Sequence, residues 1–155
     1  MDDKRTGVAT HALVSAVTSS DSDRAGIAIL LRDRQRDTIY STSYSTPGVS
    51  VETAAYRAIT QALRSARDVG AYTMMVYCDV ASVVAQLNRQ EDVPEHLLGV
   101  SLELRAVMNR FRWVKVKLAQ SGKHFIAHKL AEGASHGDGD SQPLQHSLRL
   151  HFGVT

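Results

Sequence analysis

Residues 11–45 have the sequence HALVSAVTSSDSDRAGIAILLRDRQRDTIYSTSYS, in which three strand-like runs are joined by short polar links. The first run, HALVSAV (11–17), is mostly apolar, and the second, AGIAILLRD (25–33), has an apolar residue at every second position. The third, DTIYSTSYS (37–45), alternates and is rich in β-branched and aromatic residues. Because links this short join antiparallel neighbours, the stretch predicts a three-stranded antiparallel meander.

After this meander the pattern changes to helices that alternate with strands. Ser50 is a predicted N-cap, Glu52 stands in the first turn of the following helix, and Gly70 ends that helix near Val69. The remaining segments are a strand at 72–78, helices at 80–89 and 96–111, a strand at 112–119 and a helix at 123–134. This order predicts an α/β domain with one mixed five-stranded sheet and helices on both faces.

The composition is that of one ordinary globular domain. The chain has 155 residues, of which 43% are hydrophobic and 22% charged, and its net charge of +2 permits nucleic-acid binding without arguing for it. A single cysteine, Cys78, excludes an intrachain disulfide and favours a reducing compartment, so we expect a cytoplasmic protein. The first residues do not resemble a signal peptide, and no apolar stretch approaches a membrane span, so no membrane partner is expected. We expect a flexible N-terminus at 1–9, a domain at 10–134 and a linker or disordered tail at 135–155.

The strand YTMMVYC (72–78) is continuously apolar, which is typical of a central strand that is covered on both faces. Met74, Met75 and Cys78 are therefore expected in the core, with the thiol as a buried structural group. In the last strand, alternation predicts a buried face made of Val114, Val116 and Leu118.

Four segments together resemble the ribonuclease H family. AGIAILL (25–31) is similar to the family's second-strand motif A-G-x-G-V-V-L, and AAYRAITQAL (54–63) is similar to its helix motif A-E-Y-x-A-L. CDVASVVAQL (78–87) is similar to D-S-x-x-V-V-x-Q-L, and IAHKLAEGA (126–134) to A-D-x-L-A-x-x-A. The resemblance covers about residues 10–134 and implies a ribonuclease H-like fold.

The resemblance also implies a catalytic centre in which about four carboxylates hold two divalent metal ions against a phosphodiester. The corresponding positions in this chain are Ser15, Ala55, Asp79 and His128. Only Asp79 retains its acid, unless the first position shifts across the following turn to Asp21 or Asp23. One carboxylate carries too little charge to hold two magnesium ions, so we expect no cofactor and no two-metal hydrolysis.

Several of these residues have two interpretations. Asp79 is either a surviving metal ligand or the N-cap of the following helix. His124 and His128 share a helix face, so they either form a site with Asp79 for zinc or another transition metal, or are two ordinary polar residues. Glu52 either replaces the lost glutamate or stabilises the N-terminus of its helix. An active enzyme would use magnesium or manganese by the resemblance and zinc by the histidine alternative.

The densest basic cluster surrounds the last strand. It consists of Arg105, Arg110, Arg112, Trp113, Lys115 and Lys117. This cluster is either a nucleic-acid-binding surface with a stacking aromatic residue, or the solvated face of a helix and a strand with Trp113 packed under a neighbouring helix. The segment at 88–96 is short and acidic where the family carries a basic handle, which lowers the expected affinity for a duplex.

Three functional hypotheses follow. The leading one is a catalytically degenerate ribonuclease H-like domain, a pseudoenzyme that acts by binding RNA, DNA or a protein partner. The first alternative is an active metal-dependent nuclease with a rebuilt site. The second is a protein-interaction or self-association module that uses an exposed sheet edge or the C-terminal segment HSLRLHF (146–152).

Overall fold

The computed structural model describes residues 8–18 and 23–135, with the backbone alone for residues 121–125. Most of the predicted flexible N-terminus, the turn at 19–22 and the predicted tail at 135–155 lie outside this described part, except that Ser135 is described and is buried at the end of the last helix. The first five elements are the strands β1 (Ala9–Thr18), β2 (Arg24–Asp33) and β3 (Thr38–Pro47), the helix α1 (Val51–Asp68) and the strand β4 (Thr73–Cys78). They are followed by the helices α2 (Ala81–Leu87) and α3 (Leu98–Met108), the strand β5 (Trp113–Leu118) and the helix α4 (Ser121–Ser135).

The five strands form one mixed sheet in the order β3-β2-β1-β4-β5. β1 pairs antiparallel with β2, and β2 pairs antiparallel with β3, which confirms the predicted meander. β4 joins the other edge of β1 in parallel, and β5 pairs in parallel with β4. The predicted α/β architecture is therefore confirmed.

One face of the sheet is covered by α1, with α3 packed on α1. The hydroxyl of Ser50 accepts a hydrogen bond from the backbone N–H of Thr53 at 3.1 Å, which confirms the predicted cap, and Gly70 adopts a φ of 89° just after the helix. The core on this face comprises Val14, Ile27, Ile29, Ile59, Leu63, Met74 and Val76, all essentially inaccessible to solvent. Burial of this apolar surface is the main stabilising contribution to the fold.

The other face is covered in part by α4, which packs over β1, β2 and β3. Leu13, Ala28 and Leu30 of the strands meet Ala127 and Ala131 of the helix in a second, smaller core. The contact is so close at Gly26 that a Cβ built there would lie 1.8 Å from the carbonyl oxygen of Ala131. Only glycine fits at this position, which gives the A-G motif of β2 a packing reason.

Four local expectations are corrected. The predicted helix at 96–111 begins with a separate short 3₁₀ helix, Glu95–Leu97. The strand β4 is fully buried on one face only, because Met75 on its other face is half-buried. In β5 the side chain of Leu118 is exposed, and of the predicted buried face only Val116 is fully buried. Ala9 is the first residue of β1 and is buried, so the strand begins one residue before the predicted start of the domain. No helix within the described ranges is long and apolar enough to cross a bilayer.

Candidate functional site

The candidate site lies at the end of β4, where the chain leaves the sheet. In the parallel pairing of β1 and β4, Val14 is opposite Cys78, so the next residues, Ser15 and Asp79, lie side by side. The helix α4 brings His128 to the same place from above the sheet. The three residues are those that the resemblance assigned to the first, third and fourth catalytic positions, and the structure brings them together.

The carboxylate of Asp79 is surrounded by hydrogen-bond donors. The hydroxyl of Ser15 donates to Asp79 Oδ2 at 2.6 Å, and the backbone N–H of Ala16 donates to Asp79 Oδ1 at 3.3 Å. His128 Nδ1 lies 3.1 Å from Oδ2. Since Ser15 is fully buried and the side chain of Asp79 is only 18% exposed, these donors replace most of the water that an aspartate normally binds. We call Ser15, Asp79 and His128 the Asp79 cluster.

The contact with Asp79 fixes the role of the imidazole of His128. An ionised carboxylate only accepts hydrogen bonds, so the proton of this contact belongs to Nδ1 of His128. The other nitrogen, Nε2, lies 3.8 Å from Glu132 Oε2, which is an ion-pair distance rather than a hydrogen bond. His128 is 49% exposed, so its Nε2 side is open to solvent while its Nδ1 side is bound to the sheet.

The predicted N-cap role of Asp79 is wrong. The N-cap of α2 is Val80, and it makes no capping hydrogen bond through its side chain. Asp79 instead turns toward β1 and α4, because the two donors on β1 and the imidazole offer three partners where the helix terminus would offer one or two. The carboxylate therefore links three elements of the fold rather than stabilising one helix.

The other positions considered from the sequence lie outside the Asp79 cluster. Glu52 accepts a hydrogen bond at 2.7 Å from the hydroxyl of Ser82, so it joins the first turn of α1 to α2. Ala55 is completely buried and its methyl group offers no ligand. Asp23 lies in an exposed bend whose carbonyl accepts from the N–H of Gly48, whereas Asp21 falls outside the described residues.

The described donors do not match a site for a pair of divalent ions. Both oxygens of Asp79 are already hydrogen-bonded, and the oxygen of Glu52 that faces α2 is bonded to Ser82. Among residues 8–18 and 23–135, leaving aside the side chains of 121–125, no three His, Cys, Asp or Glu residues are grouped so as to hold a metal ion. His124 is one of the residues whose side chain is not described, so the site of Asp79, His124 and His128 stays a prediction.

The predicted basic cluster divides between the two sides of the sheet. Arg105 lies on the α3 side, where Nη2 donates to the carbonyl oxygen of Gln86 at 3.2 Å, and Arg110 lines a groove of about 530 Å³ between α1 and α3. Trp113, Lys115 and Lys117 point to the opposite side of the sheet, where all three are exposed. Arg112 is exposed at the start of β5, and its N–H donates to the carbonyl of Tyr72 at 2.8 Å. The six residues therefore do not form one continuous surface.

Trp113 does not pack under a helix. Its side chain is 42% exposed, and Lys115 Nζ lies 5.2 Å from the centre of its ring, within range of a cation–π interaction. On β4 the neighbours of these residues are Thr73, Met75 and Tyr77, each half-buried. This second row was not predicted, because the apolar run of β4 indicated a strand covered on both faces. The polar atoms of Thr73 and Tyr77 were the only available signal.

A five-stranded sheet in this order, with α1 and α3 on one face and a final helix on the other, defines the ribonuclease H-like class of fold. The chain belongs to the Reverse transcriptase-like family, whose sequence pattern matches residues 13–134.

Solved ribonuclease H structures share this fold. The chain is similar to ribonuclease H1 of the archaeon Halobacterium salinarum, with a TM-score of 0.73 and 19% identity over 80% of this chain and 95% of that one. It is equally similar to the N-terminal ribonuclease H domain of a Mycobacterium tuberculosis protein, with a TM-score of 0.75 and 18% identity over 84% and 97% of the two chains. LC11-RNase H1, solved in complex with an RNA/DNA hybrid, gives a TM-score of 0.74 and 18% identity over 83% and 97%. No curated protein matches the sequence significantly.

Proposed function

We propose that this domain binds nucleic acid without cleaving it. The observation that carries the proposal is the enclosure of Asp79, whose two oxygens accept from Ser15 and Ala16 and contact His128, so that three of about four acceptor sites on the carboxylate are used within the protein. A carboxylate that binds two catalytic metal ions needs more than one of these acceptor sites for the metals. Here the donors come from the protein itself, so the charge of Asp79 is stabilised without a cation.

The binding half of the proposal is supported by the exposed basic and aromatic residues of β5. Lys115 and Lys117 present two positive charges beside an exposed indole, and Arg112 adds a third charge at the start of the strand. Lysine and arginine bind phosphates without regard to sequence, and an exposed aromatic ring adds stacking. LC11-RNase H1, with the same fold, is seen with an RNA/DNA hybrid, which supports nucleic acid over a protein as the partner. The single buried thiol, Cys78, supports a cytoplasmic location.

The rebuilt nuclease remains a second candidate because of one contact, the 3.1 Å approach of His128 to Asp79. A histidine whose Nδ1–H is held by a carboxylate is oriented to bind a metal or accept a proton through Nε2. The only described acid beside that nitrogen is Glu132, at 3.8 Å. This candidate therefore depends on a third ligand such as His124.

The test uses the full chain, a labelled RNA–DNA hybrid, and magnesium, manganese or zinc in separate reactions. We expect no cleavage above the background of the Asp79→Asn variant, and binding that weakens as salt is raised. Metal-dependent cleavage that is lost in Asp79→Asn and in His128→Gln would establish the rebuilt nuclease instead. The absence of any nucleic-acid binding, together with a mass that rises with protein concentration, would favour the self-association module.

A further inference from the structure

The face of the sheet that carries α4 is only half covered by it. α4 packs over β1, β2 and β3, and the β4–β5 half of that face carries two further rows of side chains. The β5 row is exposed and the β4 row is half-buried, with Tyr77 packed partly against the smaller core. We call this half the open sheet face; its residues are Thr73, Met75 and Tyr77 on β4 and Trp113, Lys115 and Lys117 on β5. The strand register places them as three adjacent pairs, Thr73 with Trp113, Met75 with Lys115, and Tyr77 with Lys117.

Aromatic rings lie at two places on or beside this face. The ring of His11, on the neighbouring strand β1, is parallel to that of Tyr77 within 2°, with centroids 6.3 Å apart. At the other end Trp113 is 42% exposed, with the ammonium group of Lys115 over its ring. The two aromatic positions are four residues apart along the strands, which is about 13 Å. Aromatic rings at that separation on one face of a sheet can contact more than one planar group.

The charge of the open sheet face is entirely positive. Lys115 and Lys117 are both exposed, and none of the six residues that define the face is acidic. Successive side chains on one face of a strand are about 6.6 Å apart, so these two ammonium groups can follow the phosphates of an extended strand. The face thus combines rings that stack with cations that bind phosphate, which is the combination that holds single-stranded nucleic acid.

We propose that the open sheet face binds single-stranded nucleic acid, with bases stacked on Trp113 and Tyr77 and phosphates on Lys115 and Lys117. This inference rests on the proposed function and specifies its ligand. In a duplex the bases are stacked on each other and their faces are inaccessible, so exposed rings on a flat sheet gain nothing from it. Unpaired bases in RNA or in DNA present the same flat faces, and the phosphate chemistry is shared.

The test compares four ligands that share one labelled 12-nucleotide sequence: the single-stranded RNA, the single-stranded DNA of the same sequence, the RNA paired with its DNA complement, and the DNA paired with its DNA complement. Binding to the full chain is measured by fluorescence anisotropy. We expect either single strand to bind at least tenfold more tightly than the hybrid or the duplex. Trp113→Leu should weaken single-strand binding roughly tenfold, and Trp113→Phe should restore most of it, because the ring supplies the stacking. Lys115→Gln and Lys117→Gln should each reduce the slope of log affinity against log salt concentration by roughly 0.7.

Arg57→Gln is the matched control, since it removes one exposed positive charge on α1, on the other side of the sheet. It should leave the affinity and the slope unchanged, and unfolding curves should show that all variants are folded. Equal or tighter binding of the hybrid, or single-strand binding unaffected by Trp113→Leu and Lys117→Gln, would overturn the inference and leave the proposed function standing. Failure to bind any of the four ligands would overturn both. Comparison of the affinities for single-stranded RNA and single-stranded DNA shows which of the two the face binds more tightly.

Discussion

Three consecutive residues at the end of β4 face three different environments. Tyr77 lies half-buried on the open sheet face, Cys78 points into the core beneath α1, and Asp79 is enclosed by donors from β1 and α4. The Asp79 cluster and the open sheet face are thus only two residues apart, yet the polar groups of the first are satisfied inside the protein and those of the second meet solvent. The difference teaches that neighbouring residues at one end of β4 can differ in exposure: the carboxylate of Asp79 is bound within the protein, whereas the lysine side chains of the open sheet face reach solvent.

The path of α4 decides which region is closed. This helix carries small side chains, Ala127 and Ala131, toward the sheet, so its backbone approaches β2 closely enough to leave no room at Gly26. It crosses over β1, β2 and β3 and leaves β4 and β5 largely uncovered. The helix therefore closes the Asp79 cluster by delivering His128 and at the same time leaves the open sheet face exposed.

The largest effect on the free energy of unfolding is expected from a substitution at Gly26 that disturbs the docking of α4. Gly26→Ala places a methyl group 1.8 Å from the Ala131 carbonyl and 2.6 Å from the Ser135 nitrogen, both of them backbone atoms that cannot rotate away. We expect the free energy of unfolding to fall by about 3 kcal/mol or more, measured by urea denaturation. Gly133→Ala, in α4 itself with no atom within 4 Å, is the control and should be neutral or slightly stabilising. A Gly26→Ala variant as stable as the parent chain would show that α4 does not dock as described.

Much of this fold could be predicted from the sequence because local patterns determine it. The strands at 25–33 and 37–45, the Ser50 cap and the Gly70 stop each depend on a few neighbouring residues, and each is confirmed. The burial of β2 is nearly continuous rather than alternating, because helices cover both of its faces. The pairing of Ser15 with Asp79 also followed from a count along the motif, because the register of β1 and β4 fixes which residues meet.

The remaining features depend on where α4 lies, which no local pattern contains. The half-exposure of Met75 and Tyr77 arises because α4 packs mainly over β1, β2 and β3, so that Tyr77 meets the smaller core only in part, although the sequence of β4 is as apolar as that of a fully covered strand. The division of the basic cluster has the same cause, since Arg105 follows α3 to one side of the sheet and Lys117 follows β5 to the other. For Asp79, the sequence offered a helix terminus as partner, and the donors that bind it come from distant elements.

The second prediction concerns the role of Asp79, and the sign of the change in the free energy of unfolding distinguishes a structural from a catalytic carboxylate. In a cluster of like-charged catalytic acids, removal of one carboxylate relieves repulsion and stabilises the fold. Here Asp79→Ala would leave the buried hydroxyl of Ser15 and the N–H of Ala16 without an acceptor, so we expect a loss of about 2 kcal/mol in the free energy of unfolding. Lys117→Gln, on the open sheet face, should change it by less than about 0.5 kcal/mol.

Asp79→Asn sharpens this measurement. Its amide keeps one oxygen that can accept from Ser15 or from Ala16, but its NH₂ group is brought against the remaining donors, so an intermediate loss of about 1 kcal/mol is expected. Stabilisation by either substitution would contradict the structural role of Asp79 and would point back to a strained functional carboxylate. Equal effects at Asp79 and Lys117 would remove the distinction between the closed and open regions.

The smallest effect on the free energy of unfolding at neutral pH is expected from the ionisation of Cys78, which lies between Tyr77 and Asp79 in the sequence. Burial raises the pKa of its thiol to about 12, against an ordinary value of 9.0, since the loss of water around a thiolate outweighs the one backbone hydrogen bond, from Val80, that favours it. At pH 8 the thiol is neutral in the folded and mostly neutral in the unfolded chain, so its ionisation hardly affects stability. Above pH 9 the unfolded chain loses this proton while the folded chain keeps it, so stability should fall as pH rises from 9 toward 12, by at most about 1.4 kcal/mol per unit.

The reactivity of the Cys78 thiol also shows whether the two faces of the sheet unfold together. Iodoacetamide at pH 8 should label Cys78 only as fast as the protein unfolds, because the thiol is both inaccessible and un-ionised in the folded chain. The same chain in urea should be labelled at the rate of a free cysteine. If the Gly26→Ala variant weakens the docking of α4 alone, its labelling should remain slow, since Cys78 lies on the α1 face of the sheet. Fast labelling of that variant would mean that the two faces unfold together, and that the Asp79 cluster cannot be opened without loss of the core.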